Sequence, residues 1–331
     1  MTVAGDPTSP SLVDERFLED YDTLRNGVGA VALGRDALRV SGPDAAEYLQ
    51  GQLSQDIAAL EVGASADSLI LTPQGKLDAF LRVSRSGDDE LILDVDAGFG
   101  EAVAARLARF KLRVKVVIEP LAWHCVALRG PGAGALAYNE NSGVSLRVPF
   151  SWNGVVGVDW LGEAPSVPEG VRTCAIDAWE SVRVEAGIPR MGAELDDRTI
   201  AAEADLLDRS VSFTKGCYTG QELVARLDAR GNRVVRHLRG LVAVGLSSDP
   251  VGVKAPQRAV AVGSEITFEG KVVGTVTSAA WSPALGCPVA LGYVHRTVTS
   301  PSIVELGVVV PDGTGPEASV VAAEVRTLPL I

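Results

Sequence analysis

The chain has 331 residues, of which 47% are hydrophobic, and a formal net charge of −12. This length and composition predict a globular protein that buries a sizeable core in two or three structural units. The acidic balance disfavours broad nonspecific binding to nucleic acid, and no apolar run in the sequence reaches the roughly 18 residues that a membrane span requires.

The first twelve residues contain neither the basic region nor the apolar region of a secretory signal. We therefore expect a flexible N-terminal tail, placed at residues 1–25, and a cytoplasmic protein. The four cysteines are far apart with no CxxC spacing, and the three histidines are scattered. These spacings argue against a disulfide framework or a zinc ribbon, so we assign no metal.

After the tail, short strands alternate with helices. Residues 27–40 are typical of short strands, and Ser41-Gly42-Pro43-Asp44 predicts the start of a helix. Two apolar runs then flank Pro73-Gln74-Gly75, which is typical of a tight hairpin. A strand is predicted at residues 90–96, a helix at 98–112 and a strand at 113–118.

A similar succession begins at Trp123 and ends in an amphipathic helix over residues 174–186, which Gly187-Ile188-Pro189 terminates. From Val234 onward, short β-rich runs separated by glycine are typical of a small antiparallel barrel. We predict an α+β fold with two related α+β units, at residues 26–120 and 121–237, and a C-terminal antiparallel β-barrel at residues 238–331. The apolar stripe of the 174–186 helix comprises Ile176, Trp179, Val182 and Ala186.

The most informative stretch is SFTKGCYTGQE, residues 212–222, which predicts a loop that enters a helix. The positive end of that helix and the ammonium group of Lys215 would favour the thiolate of Cys217. Cys217 is therefore a candidate reactive thiol. The alternative is that Cys217 fills a small buried space, as free cysteines often do.

A basic segment follows, with six basic and two acidic residues between Lys215 and Arg239. Arg226, Arg230 and Arg233 recur at helical spacing, and they are candidates for binding a glutamate tail, a phosphate or RNA. A solvated helix with ion pairs to the acidic remainder of the chain is an equally good interpretation.

Three sequence blocks resemble a known family. KGCYTGQE resembles the signature of the YgfZ-type folate-binding proteins, and GPDAAEYLQGQLSQDI and LTPQGKLDAF are similar to that family's N-terminal blocks, in the expected order. The resemblance implies an aminomethyltransferase-like ring of two α+β folate-binding units plus a β-barrel, with a central channel for tetrahydrofolate. It also implies a role in the assembly or repair of iron–sulfur enzymes, including radical enzymes that modify tRNA.

The resemblance extends to the aminomethyltransferase of glycine cleavage, the T-protein. VRVEAG resembles the segment in which the transferase family has its pterin-binding glutamate, and that glutamate matches Glu185 here. GKLDA resembles the segment with the family's paired aspartates: Asp78 matches the first, and Ala79 stands at the second. A carboxylate such as Glu185 accepts two hydrogen bonds from the 2-amino and N3 edge of a pterin. Further predicted folate contacts are Lys215, Tyr218, Gln221 and Arg226.

We therefore predict a tetrahydrofolate-binding accessory factor for iron–sulfur enzymes or cluster-assembly proteins, with Cys217 as its functional thiol and no stable binding to nucleic acid or membrane. The alternative is a folate-dependent aminomethyltransferase, or another one-carbon enzyme, in which Asp78 is the catalytic acid–base group. A third possibility, a pure interaction scaffold, predicts no folate affinity.

Overall fold

The computed structural model describes residues 14–137, 142–245, 259–309 and 319–331. Residues 1–13 of the predicted tail lie outside these ranges. The described strands form two five-stranded sheets and one seven-stranded sheet.

A helix occupies the second half of the predicted tail. Helix α1 spans Glu15–Asn26 and begins at Asp14, whose carboxylate accepts a hydrogen bond of 2.8 Å from the Phe17 backbone N–H. Tyr21 and Leu24 are among its buried residues. The prediction of a flexible tail is therefore wrong for residues 15–25. Burial of one face against the rest of the fold stabilises this short helix, which local propensity alone would leave marginal.

The first sheet contains strands from the first half of the chain. Its strands and the helices beside them are β2 (Arg35–Ser41), α2 (Ala45–Gln52), β3 (Ser65–Leu71), β4 (Leu77–Gly87), β5 (Glu90–Asp96), α3 (Gly100–Phe110) and β6 (Val117–Leu121). The strand order is β3-β4-β5-β2-β6, antiparallel throughout. The predicted hairpin is confirmed, with Gly75 in the turn at a φ of 73°.

The second sheet includes one strand, β1, that precedes all strands of the first sheet in sequence. Its elements are β1 (Gly29–Leu33), β7 (His124–Arg129), β8 (Leu146–Trp152), β9 (Val155–Gly162), β10 (Arg172–Thr173) and helix α4 (Ile176–Ala186). Strand β1 pairs antiparallel with β7 and parallel with β10. The two α+β units therefore interleave, and residues 29–33 belong with the second sheet although the sequence pattern grouped them with the first unit.

Helix α4 ends where the sequence predicts. Gly187 adopts the left-handed conformation with a φ of 68°, which a residue without Cβ reaches most easily. Three residues of the predicted apolar stripe, Trp179, Val182 and Ala186, are buried, whereas Ile176 is 48% exposed. Helix α4 packs against α1 on one side and against the third sheet on another.

The third sheet closes into a barrel. It is preceded by the short helices α5 (Leu207–Ser210) and α6 (Gln221–Asp228), and its strands are β11 (Arg236–Ala243), β12 (Ala259–Val260), β13 (Glu265–Phe268), β14 (Lys271–Ser282), β15 (Cys287–His295), β16 (Ser302–Val309) and β17 (Ser319–Arg326). Because β16 pairs with both β13 and β17, six of these strands form a closed antiparallel ring. The predicted α+β fold with a C-terminal barrel is confirmed, and the barrel begins two residues before Leu238.

One large hydrophobic cluster joins the two α+β units. It contains Leu38 and Leu81 of the first sheet, Trp152 of the second sheet and Val182 of α4. Each fully buried leucine contributes roughly 1.5–3 kcal/mol through removal of apolar surface from water. A separate cluster fills the barrel. The shared core holds the first two sheets in a fixed relation, so the space between them is preformed.

Candidate functional site

A cavity of about 390 Å³ lies between the two five-stranded sheets, with α4 along one side. Its volume is within the range of pockets that hold small organic ligands. Strand alternation explains much of its lining: Phe80 and Arg82 project from one face of β4, as Phe150 and Trp152 do from one face of β8.

Four aromatic side chains line the cavity in two edge-to-face pairs. The ring centroids of Phe80 and Trp152 are 6.0 Å apart, and those of Phe150 and Trp179 are 6.1 Å apart. Such pairs are rigid and present flat apolar faces. They suit a planar ligand ring.

Every arginine that lines the cavity is paired with at least one carboxylate. These arginines are Arg35, Arg82, Arg129, Arg183, Arg190 and Arg209. A buried arginine with a matched carboxylate offers little free charge to a ligand. The enclosed part of the cavity therefore favours a neutral ring over an anion.

The most buried of these charges form one network. Arg82 donates to Asp94 of β5 at 2.7 Å and to Asp159 of β9 at 2.5 Å, while Arg129 donates to Asp159 at 2.6 Å. Burial by itself would raise the pKa of Asp159, but Arg129 and Arg82 outweigh it and hold that pKa well below its usual range. Arg35 and Arg82 likewise lower the pKa of Asp94 against the effect of burial. Both carboxylates are therefore ionised at neutral pH.

Glu180 of α4 lines this cavity, and its side chain is 23% exposed. Arg183 donates to it at 2.8 Å, and Arg190 donates to it at 3.1 Å. Two arginines of the lining are more exposed than the rest: the side chain of Arg190 is 47% exposed and that of Arg209 is 29% exposed. Arg209 also stacks on the Trp152 ring, with the guanidinium carbon 3.6 Å from the ring centroid.

Glu185, predicted to hold the pterin, does not line this cavity. The side chain is fully buried, and its oxygens accept hydrogen bonds from Tyr21 at 2.8 Å, from Arg25, and from Ser282 of β14 at 2.5 Å. The direct contact between Glu185 and a pterin stays a prediction, and the structure places the residue outside this cavity lining. Its hydrogen-bond partners belong to α1 and the barrel, which the local sequence VRVEAG cannot reveal.

Asp78, the predicted catalytic carboxylate, is also absent from the cavity lining. It lies on β4, its side chain is 30% exposed, and Arg106 of α3 donates to it at 3.2 Å. Ala79 beside it is buried. In this arrangement Asp78 forms an ion pair between β4 and α3.

The predicted loop entering a helix is confirmed for KGCYTGQE, since α6 begins at Gln221. Burial lowers the pKa of Lys215 to about 8, so the group is still an ammonium at neutral pH. This ammonium donates to the backbone oxygens of Gln50, Leu53 and Gln55, each at 2.7 Å. Lys215 therefore anchors the loop to the last turn of α2 and to the segment after it, with its donors directed at these carbonyls.

Cys217 is exposed, whereas the other three cysteines are buried. The interpretation that Cys217 fills a small buried space is therefore wrong. Cys217 does not line the cavity, and three residues separate it from the first residue of α6.

The other predicted folate contacts do not line the cavity either. Tyr218 is buried in the main core, and its backbone N–H donates to the Gln221 side chain at 3.1 Å. Arg226 pairs with Glu222 on the exposed face of α6 at 2.6 Å. Arg230 and Arg233 lie beyond the end of α6, so the predicted helical row is wrong at these two positions. The structure brings none of the seven predicted site residues into the cavity.

Sequence reasoning missed the residues that do line it. The alternation in LDAFLRV carried a usable signal, because it predicts Phe80 and Arg82 on one face of a strand. Glu180 precedes Glu185 by five residues, which separates the two side chains by about 140° around a helix. Glu180 and Glu185 therefore face different surroundings.

Within the described residues, no three histidine, cysteine, aspartate or glutamate side chains lie close enough to hold a metal ion. None of the described helices combines the length and apolar character needed to cross a membrane.

Known proteins share both the sequence pattern and the architecture. Residues 249–325 match the glycine cleavage T-protein C-terminal barrel domain. An aminomethyltransferase of Corynebacterium jeikeium is 28% identical over 336 residues, covering 86% of this chain and 82% of the relative. An uncharacterized protein of Haemophilus influenzae is 26% identical over 249 residues, covering 73% of this chain and 80% of the relative.

The crystal structure of the glycine cleavage system aminomethyltransferase T from Bartonella henselae superposes with a TM-score of 0.76 at 21% sequence identity, covering 95% of this chain and 89% of that structure. The protein therefore has the aminomethyltransferase fold, as the sequence predicted. The matches support a relationship to the glycine cleavage T-protein group.

Proposed function

We propose that this protein is a YgfZ-type factor that binds tetrahydrofolate, or a derivative of it, and supports the assembly or repair of iron–sulfur enzymes, including radical enzymes that modify tRNA. The observation that carries the folate part is the cavity between the first two sheets, which combines two aromatic pairs with fully paired charges.

A reduced pterin suits this cavity because it is flat, neutral and rich in hydrogen-bonding groups. Its ring packs among the aromatic side chains of the lining, and it does not require an unpaired cation in the enclosed space. Relatives that carry the name aminomethyltransferase support the same ligand class.

We assign the pterin edge to Glu180 instead of Glu185. Glu180 lines the cavity and is partly exposed, so its carboxylate is able to accept from the 2-amino and N3 groups alongside its bonds to Arg183 and Arg190. The anionic glutamate tail belongs at Arg190 and Arg209, the two most exposed arginines of the lining.

The exposure of Cys217 supports the accessory role. A thiol at the surface, in a loop that Lys215 anchors, is accessible to a partner protein. It is absent from the lining of the cavity. We therefore propose that Cys217 performs thiol or redox chemistry on an iron–sulfur enzyme or a cluster-assembly protein.

A folate-dependent aminomethyltransferase is the second candidate, favoured by the names of the relatives. It requires a carboxylate at the reacting carbon. Asp78 pairs with Arg106 outside the cavity lining, and Ala79 replaces the second aspartate, so this candidate has the weaker support.

Calorimetric titration with tetrahydrofolate tests the ligand. We expect saturable binding with one site per chain, weakened by Glu180→Gln and unchanged by Arg198→Gln, which alters a side chain 80% exposed and outside the cavity lining. Absence of binding to the unaltered protein would refute the folate proposal and favour an interaction scaffold.

Complementation tests the role of the thiol. The Cys217→Ala protein is expected to bind folate as the unaltered protein does. In cells that lack the protein, this variant is not expected to restore the activity of a radical tRNA-modifying enzyme. Full restoration by Cys217→Ala would remove the thiol from the proposal. Formation of methylene-tetrahydrofolate from an aminomethyl donor, abolished by Asp78→Asn, would favour the transferase.

A further inference from the structure

Helix α1 contacts α4 near both ends of α4. Close to the start of α4, the fully buried Asp20 accepts hydrogen bonds from the Ala175 backbone N–H at 2.9 Å and from Arg172 at 2.5 Å. At the last turn of α4, Glu185 accepts from Tyr21 and Arg25 of α1. Helix α1 therefore crosses α4 with a polar contact on each side of the crossing.

The same helix α4 forms one wall of the cavity. Ile176, Trp179, Glu180 and Arg183 of α4 all line it. Asp20 of α1 and Glu185 of α4 do not line it, and they lie at the contact between the two helices. A shift of α4 would therefore move Trp179 and Glu180 relative to the rest of the lining.

Burial makes the contact at Glu185 sensitive to the loss of a hydrogen-bond partner. Glu185 has no exposed surface, so its charge depends on Arg25, Tyr21 and Ser282 for stabilisation. Loss of one partner leaves a buried carboxylate poorly compensated, so a change in α1 acts directly on the helix that carries Glu185.

We infer that helix α1 is a positioning element of the ligand site, which acts through Asp20 and Glu185 to hold Trp179 and Glu180 of α4 in place. The inference depends on the proposed folate binding. It also gives Glu185 a role different from the direct pterin contact that the sequence suggested: Glu185 acts through α4, without touching the ligand.

Calorimetry with tetrahydrofolate, well below the unfolding temperature, separates the two roles of Glu185. Arg25→Gln and the milder Tyr21→Phe alter only the α1 side of the contact. We expect each to weaken binding, by about three- to thirtyfold for Arg25→Gln, with the stoichiometry still one. The double variant Arg25→Gln with Glu185→Gln is expected to bind tetrahydrofolate with no lower affinity than the single variant of lower affinity, because both substitutions act on one contact.

Two controls exclude a general effect. Arg16→Gln removes an exposed arginine from the same helix and should leave the affinity unchanged. Val304→Ala removes apolar volume in the barrel core and should lower thermal stability without changing the affinity of the folded protein.

The outcomes are distinct. Unchanged affinity in Arg25→Gln and Tyr21→Phe, together with weak binding by Glu185→Gln, would overturn the inference and restore a direct pterin contact for Glu185. Equal weakening by Val304→Ala would also overturn it, since stability alone would then explain the effect. Absence of binding by the unaltered protein would refute the proposed function itself, and this inference with it.

Discussion

Arg82 of β4 and Asp159 of β9 form a buried ion pair of 2.5 Å between residues 77 positions apart in sequence. The pair joins the two five-stranded sheets beneath the cavity, and Asp94 and Arg129 extend it on either side. The base of the candidate site is therefore also a link between the two α+β units.

Removal of Arg82 should destabilise the protein severely. Arg82→Leu leaves Asp94 and Asp159 buried with one arginine fewer, and we expect the free energy of unfolding to fall by about 3–5 kcal/mol. Urea denaturation at constant slope measures the loss. Arg198→Leu, which breaks the exposed pair with Asp196, should cost about 0–1 kcal/mol. Similar losses in the two variants would contradict a stabilising role for the buried network.

The same network predicts sensitivity to acid. The folded-state pKa values of Asp94 and Asp159 are lowered, so the unfolded chain takes up protons first as the pH falls. The stabilisation is complete above about pH 5 and is lost as the pH falls through about 4 toward the lowered values. Asp159→Asn should be less stable at pH 7 and should lose less stability between pH 5 and pH 3. An unchanged slope in that variant would disprove the assignment.

Lys215 should be required for the structure of the loop that carries Cys217. Lys215→Met leaves three backbone oxygens without their ammonium donor, and we expect a loss of about 1–3 kcal/mol. Faster hydrogen exchange at residues 212–220 should accompany it. Arg226→Met, on the exposed face of α6, serves as the control. Unaltered exchange in Lys215→Met would show that the loop is held by other contacts.

Cys217 and Cys174 should respond differently to the same substitution. Cys217→Ala removes an exposed thiol, so thermal stability is expected to change little. Cys174 is buried, with its sulfur close to Gly29 of β1, and Cys174→Ala should lower the melting temperature through the small cavity that it creates. Alkylation of the folded protein should modify Cys217 first. Preferential modification of Cys174 would contradict the exposure that the structure gives these thiols.

Local sequence patterns predicted many of the helices, strands and turns correctly. The hairpin at Gly75, the left-handed end of α4 at Gly187 and the start of α6 at Gln221 depend on contacts within a few residues, which a linear pattern records. The barrel strands were predictable as short β-rich runs separated by glycine, although among the described strands only β13–β14, β14–β15 and β16–β17 pair with neighbours in sequence.

Pairing over long distances was not predictable. Strand β1 joins β7 nearly one hundred residues later, and α1 is stabilised by partners such as Glu185 that lie about 160 residues away. Neither contact leaves a periodic signal in the segment that makes it.

The sequence by itself determined the fold class, the strands of the barrel and the start of α6, since each follows from local backbone preference and apolar periodicity. Only the tertiary structure decided which carboxylates face the cavity. Glu180 and Glu185 belong to one helix, but different groups pack around each side chain. Glu180 faces the cavity beside arginines, whereas Glu185 is surrounded by buried partners from α1 and the barrel. A burial environment is a property of several distant segments at once, so no single motif can specify it.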